Sequence, residues 1–209
     1  MIEFACASCQ RKFTVPDAAA GKKARCTCGE VLLVPPPLAA TDAPDVQQLV
    51  AAQLPMRSRR LMADAREMAS LFASFPLIQI HSTTGEPPEI YQVDYHLHGL
   101  ERGKKNPVPR ESHRVEIQLT AEYPRIGPKC RMLTPIFHPN IDAATICVGD
   151  HWTAGERLVD LVIRIGEMLA YQAYNIKSPL NAEAAMWADL NADKLPVERR
   201  SLHPPELGG

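Results

Sequence analysis

Six cysteines carry the most chemical information in this 209-residue chain, and they are unevenly spread. Cys6-x2-Cys9 and Cys26-x-Cys28-Gly29 form two short hooks sixteen residues apart, whereas Cys130 and Cys147 stand alone. Four thiolates on paired hooks predict a tetrahedral structural zinc site with Zn–S bonds of about 2.3 Å. So short a cysteine-bounded unit has too little core to fold alone, and metal is expected to supply much of its folding free energy. Arg11, Lys12, Lys22, Lys23 and Arg25 lie among the hooks and offset the formal charge of about −2 on such a centre. An isolated cysteine is ordinarily a small buried hydrophobe, which is the reading adopted for Cys130. His96 and His98 fall on the polar side of an alternating segment and are read as solvated rather than as a metal pair.

The rest of the chain must position this chemistry. Residues 1–34 form the cysteine-bounded unit, and the proline-rich PPPLAATDAP run opens a linker over residues 35–54. Leu61, Met62, Ala65, Met68, Ala69 and Phe72 recur at helical spacing from about Met56, after Pro55. The period then changes to two. Tyr91, Val93, Tyr95 and Leu97 predict one half-buried strand and Val115, Ile117 and Leu119 another, with outer strands over 77–81 and 130–135. Turn residues and charge fill the gaps, as in an antiparallel meander. RLVDLVIRIGEMLAYQ is apolar on most of its circumference and predicts a central buried helix. A short helix is expected over 181–190, and residues 191–209 read as a flexible tail. The fold class is therefore α+β.

Composition narrows the function classes. Hydrophobic residues make up 45% and charged residues 22%, and 23 Lys+Arg face 24 Asp+Glu, so no global basic field points to nucleic acid or to a membrane. Residues 1–34 carry five basic against three acidic side chains, with few aromatics for base stacking, which argues against nucleic acid there too. No apolar run is long enough to span a bilayer, and the start lacks the pattern of a signal peptide, so a cytoplasmic location is expected.

His138-Pro139-Asn140, followed seven residues later by Cys147, resembles the active site of E2 ubiquitin-conjugating enzymes. Arg60-Leu61-Met62 is similar to a motif in that family's first helix. Tyr123-Pro124, Ile136-Phe137-His138-Pro139-Asn140, Trp152, Ser178-Pro179-Leu180-Asn181 and Glu183-Ala184-Ala185 come in the family's order. The resemblance implies the UBC-like fold over residues 55–190: an N-terminal helix, a four-stranded antiparallel meander, an active-site segment and C-terminal helices. It also implies catalysis. Cys147 would accept the carboxyl-terminal glycyl group of a ubiquitin-like protein from an E1-like activating enzyme as a thioester, and a lysine of a protein substrate would then take it. Asn140 would donate to the developing oxyanion or order the adjacent loop, and His138 would hold that loop by backbone hydrogen bonds. The cysteine hooks resemble small N-terminal zinc ribbons, read either as a recruitment module or as a stapled cap.

The match also departs from the family. The Cys147–Trp152 interval is short, and Asn175, Lys177 and Ser178 stand where many members place an Asp or Ser near the incoming lysine. Asp150 or His151 is a candidate substitute. Together with the ribbon, these departures resemble E2-like proteins of bacterial conjugation systems, which implies a dedicated E1-like enzyme, a ubiquitin-like modifier, an E3-like factor in some settings and a deconjugating metalloprotease. Arg57, Arg59, Arg60 and Arg66 are a candidate E1-docking face, or simply a solvated one. A non-catalytic UBC-fold adaptor is the alternative. The terminal Gly208-Gly209 leaves two readings open, a conjugatable tail and a simple chain end.

Overall fold

The computed structural model describes residues 1–36, 54–148 and 152–205. The chain divides into two compact units, residues 1–53 and 54–209. Most of the expected linker, Asp150, His151 and Gly208-Gly209 lie outside the described residues.

The first unit is two antiparallel hairpins, each with one cysteine hook as its turn. β1 (Ile2–Ala5) pairs with β2 (Lys12–Val15), and β3 (Lys23–Arg25) pairs with β4 (Val31–Leu33). The hooks close through backbone bonds, Gln10 N–H to Cys6 O at 2.8 Å and Gly29 N–H to Cys26 O at 2.9 Å. Gly29 adopts φ 96°, a conformation open to glycine, and this lets the shorter second hook turn in one residue fewer. The core is minimal: Cys6, Cys26 and Leu32, with Phe4 and Phe13 packed against them.

In the second unit, α1 (Met56–Phe72) begins directly after Pro55, whose missing N–H costs nothing at a helix start. Its buried stripe is Leu61, Asp64, Met68 and Phe72. Asp64 is an acid on the face that periodicity marks as apolar, and it persists there because Arg60 and the Tyr123 hydroxyl both donate to it. Four antiparallel strands follow: β5 (Ile78–Thr84), β6 (Ile90–Tyr95), β9 (His113–Gln118) and β10 (Lys129–Met132), in the order β10-β9-β6-β5. Opposing pairs such as Val93–Val115 and Tyr91–Ile117 put the alternating apolar residues on one face. This is the meander expected from the sequence.

Between β6 and β9 lies a hairpin that the sequence reading leaves unassigned, β7 (Gly99–Glu101) with β8 (Val108–Arg110). Its strands are three residues long and one contains Pro109, too little for a period to register. α2 (Leu158–Leu169) is buried over most of its circumference, as its composition predicts, and the Tyr95 hydroxyl donates to Val162 O at 3.0 Å. α3 (Ala182–Leu190) is capped by Asn181, whose side chain accepts from Ala184 N–H.

One expectation is corrected here. The polar, proline-containing composition of residues 191–209 predicts a flexible tail, yet Leu202 is 1% exposed within the main core, and Glu198 N–H donates to Ala170 O at 3.1 Å. Gln172 holds the carbonyls of Glu198 and Arg200. A few apolar residues scattered at irregular intervals leave no period to read, although Leu202 in the main core and Leu195 against a smaller cluster suffice to dock the segment.

Candidate active site

The segment after β10 is folded tightly around its own polar groups. His138 bridges to Ile141 and Ile141 to Ile146, and Ile146 N–H donates to Cys130 O at 3.0 Å, tying the loop to the edge strand. Asp142 closes the turn by accepting from the N–H groups of Ala144 and Thr145. Cys147 follows Ile146, and its N–H donates to Asn140 O at 3.0 Å. This bond brings the nucleophile candidate beside the His-Pro-Asn segment. Cys147 is exposed.

Asn140 uses both ends of its side chain on one partner. Nδ2 donates to Asn175 O and Oδ1 accepts from Asn175 N–H, each at 2.7 Å. One Nδ2 hydrogen remains outside this reciprocal pair. Pro139 O accepts from the N–H groups of Leu180 and Asn181, so the segment also anchors the start of α3. His138 is fully buried, and Nδ1 accepts from Asn140 N–H at 3.1 Å, which puts the ring proton on Nε2. Burial pushes the imidazole down to about 3, with the Met168 carbonyl opposing part of the shift and His113 adding to it. A histidine so depressed is neutral at physiological pH and fit to hold a backbone, not to relay protons.

Two hollows meet at Cys147. One, of about 630 Å³, is lined by Asn140, Glu156, Arg164, Tyr174, Asn175 and Ser178 among others. The other, of about 490 Å³, lies against β9 and β10, with Glu116, Lys129 and Arg131 at its wall. Cys130 also reaches this second hollow, but it is buried, and desolvation raises its thiol to about 12. It is the inert buried cysteine expected from its isolation. His96 and His98 are exposed, as expected.

Glu156, Arg164 and Tyr174 were missed from the sequence. Arg164 Nη1 donates to Val148 O, the residue after Cys147, at 2.9 Å, and Nη2 is ion-paired with Glu156. Arg60 continues the network: it donates to the backbone oxygens of Ala154 and Glu156, to Asp64 and to the Tyr123 hydroxyl. A guanidinium in the middle of a largely apolar helix was the available signal for Arg164. Arg57 is likewise engaged, with Glu89 and the carbonyls of Leu119 and Thr120. Of the four arginines of the candidate docking face, Arg59 and Arg66 are exposed and free of these internal bonds, while Arg57 and Arg60 hold the fold.

In the first unit the four thiols of Cys6, Cys9, Cys26 and Cys28 lie within 4.8 Å of one another. Cys6 Sγ is 3.7 Å from Cys28 Sγ, and Cys9 Sγ is 3.5 Å from Cys26 Sγ. Four sulfurs about 2.3 Å from a tetrahedral centre would stand about 3.8 Å apart, so the donor set fits a metal ion of zinc's size and softness. The Cys28 backbone N–H favours the Cys26 thiolate and pulls it down to about 6. Cys28 is pushed up to about 12 by the neighbouring thiols, against the pull of the Glu30 backbone N–H.

A helix before a four-stranded meander, a buried His-Pro-Asn loop and an exposed cysteine hydrogen-bonded to it define a UBC-like domain. Comparison agrees: the family model described as "Ubiquitin-conjugating enzyme" matches residues 85–197, just over half of the chain. The chain belongs to that family. It is 30% identical over 99 residues to "Ubiquitin-conjugating enzyme E2 N" of Macaca fascicularis, a match over 45% of this chain and 64% of that relative. A solved structure titled "Novel Ubiquitin-Conjugating Enzyme" is similar at 21% identity, with a TM-score of 0.49 over 67% of this chain and 94% of that one.

Proposed function

We propose that the chain is an E2-type carrier that takes a ubiquitin-like protein from an E1-like enzyme on Cys147 and passes it to a lysine of a target protein. The observation that carries this reading is the exposed Cys147, fixed by its N–H to Asn140 O at the meeting of two hollows, in a chain of the ubiquitin-conjugating enzyme family. In the first step the Cys147 thiolate attacks the carbonyl of the E1-bound thioester, a new S–C bond forms, and the E1 cysteine leaves as its thiolate. In the second, a lysine amine attacks the Cys147 thioester, loses a proton to solvent or a nearby base, and expels the Cys147 thiolate as the isopeptide bond forms. Asn140 and His138 keep the loop in place, and the remaining Nδ2 hydrogen of Asn140 is the donor open to an oxyanion.

Zinc, held by Cys6, Cys9, Cys26 and Cys28, would staple the first unit, whose core is too small to fold unaided. The setting is a cytoplasmic conjugation system of bacterial type, with its own modifier, an E3-like factor where one is needed, and a metalloprotease to reverse the linkage. Intact mass spectrometry tests the reading, with the chain incubated with ATP and an extract holding the activating enzyme and modifier, before and after reductant. A reductant-sensitive, ATP-dependent adduct that disappears in Cys147→Ala is expected. No adduct in an extract proven active would transfer the chain to the class of non-catalytic UBC-fold adaptors.

A further inference from the structure

The β3–β4 hairpin has an outer face that the described residues of its own unit leave uncovered. Lys23 stands opposite Leu33 and Arg25 opposite Val31, and opposed residues of antiparallel strands share a face. Leu32, between them, points inward and is buried, while Val31 and Leu33 are 53% and 65% exposed. Lys23 and Arg25 are exposed too, with no ion-pair partner among the described residues.

The backbone is open on the same side. Cys26 N–H donates to Glu30 O at 2.8 Å and Val34 N–H to Lys22 O at 2.9 Å. Bonded pairs recur at every second position of an antiparallel ladder, so the bonded pair between these two is Ala24–Leu32. The N–H and C=O groups of Val31 and Leu33 therefore point away from β3, and among the described residues the sheet has no third strand. An open edge beside exposed aliphatic side chains is a template for strand addition.

We propose that the outer edge of β4 binds an extended acidic segment of a partner protein, read as Glu-x-Glu. The added strand would bond to the free backbone groups of Val31 and Leu33 and place its two glutamates beside them on the outer face. Lys23 and Arg25 lie two strand spacings away, about 10 Å, so their head groups meet glutamates across the aliphatic pair, where the shorter aspartate falls short. The face favours a protein over a nucleic acid. Its apolar residues are aliphatic, and the aromatic pair of this unit, Phe4 and Phe13, stack on each other at 5.6 Å and pack on the cysteine core, leaving no platform for bases.

The test is a titration of the full-length, zinc-loaded, 15N-labelled chain with a synthetic peptide of alternating Glu and Val. Asp-Val and Lys-Val peptides and a short oligothymidine serve as competing probes. The amide signals of residues 23–25 and 31–33 should move saturably with the Glu-Val peptide, and affinity should fall about tenfold when salt rises from about 0.05 to about 0.3 M. Val31→Pro leaves the β3–β4 ladder its bonds but removes an outward donor, so it should weaken binding about tenfold with the rest of the spectrum unchanged. The double variant Lys23→Glu, Arg25→Glu should weaken it at least as much. Unchanged affinity in a folded Val31→Pro chain, equal binding of the Lys-Val peptide, tighter binding of oligothymidine, or no binding would each overturn the proposal. None of these readouts depends on Cys147 or on conjugation.

Discussion

Asn140 couples two roles that its residue type alone cannot separate. Its amide pins the Asn175 backbone through two bonds of 2.7 Å, and its own carbonyl receives the Cys147 N–H. Asn140→Ala removes the first role and leaves the second intact. The Asn175 N–H and carbonyl then lose a partner in a partly buried place, which should cost about 1–3 kcal/mol of stability by urea unfolding. Discharge of a preformed Cys147 thioester to free lysine should slow by about a hundredfold or more if the spare Nδ2 hydrogen meets the oxyanion. A discharge rate within a few fold of wild type would confine Asn140 to loop order. His138, Asn140 and Cys147 were legible in the sequence because they sit within ten positions of one another. Glu156 and Arg164 were not, because they act through a network that also draws on Arg60, Asp64 and Tyr123, and only the folded chain brings these together.

At the scale of elements, α2 does more than fill the core. Arg164 reaches from it to the carbonyl next to Cys147, so the helix and the Cys147 segment are held by one side chain. Arg164→Met should leave the Val148 carbonyl and the Glu156 carboxylate without their partner. The expected outcome is faster amide exchange over residues 146–148 and about tenfold slower thioester discharge, with KM for the acceptor little changed. Arg164→Lys should recover part of both. Trp152 is set by a comparable constraint. It packs on Gly127, where an added Cβ would stand 2.9 Å from its ring, and its indole N–H donates to Pro124 O. Gly127→Ala should therefore cost about 1–3 kcal/mol and displace the indole, visible as a shift in tryptophan emission. The inner strands β6 and β9 could be read from period because each buries alternate residues, and the central helix from an apolar run buried on most of its circumference. The β7–β8 hairpin and the docking of Leu202 could not, since three-residue strands and irregularly spaced apolar anchors carry no period.

The second unit as a whole contains two histidines that it keeps uncharged. His113 is fully buried beside Gly99, where an added Cβ would meet its ring at 2.5 Å, and neither ring nitrogen has a hydrogen-bond partner among the described residues. Burial, reinforced by the Arg110 charge, depresses it to about 4, and burial depresses His138 to about 3. In the unfolded chain both would titrate near 6.5. Between these values the unfolded state binds more protons than the folded one, so the contribution of both residues is fully present above about pH 6.5 and is lost as pH falls toward 4. Each histidine gives a slope of up to about 1.4 kcal/mol per pH unit, so the unit should lose roughly 2 kcal/mol between about pH 6 and pH 5. The carboxylates held low by arginines, Glu89, Asp94 and Glu198, act in the same direction but at lower pH, because their unfolded values lie near 4. The histidines thus own the window above about pH 5. Urea unfolding at half-unit steps from pH 7 to 4.5 should show this slope, and His113→Gln should remove about half of it. Stability that stays level down to about pH 5 would mean that water reaches these rings in solution and lets them charge in the folded state.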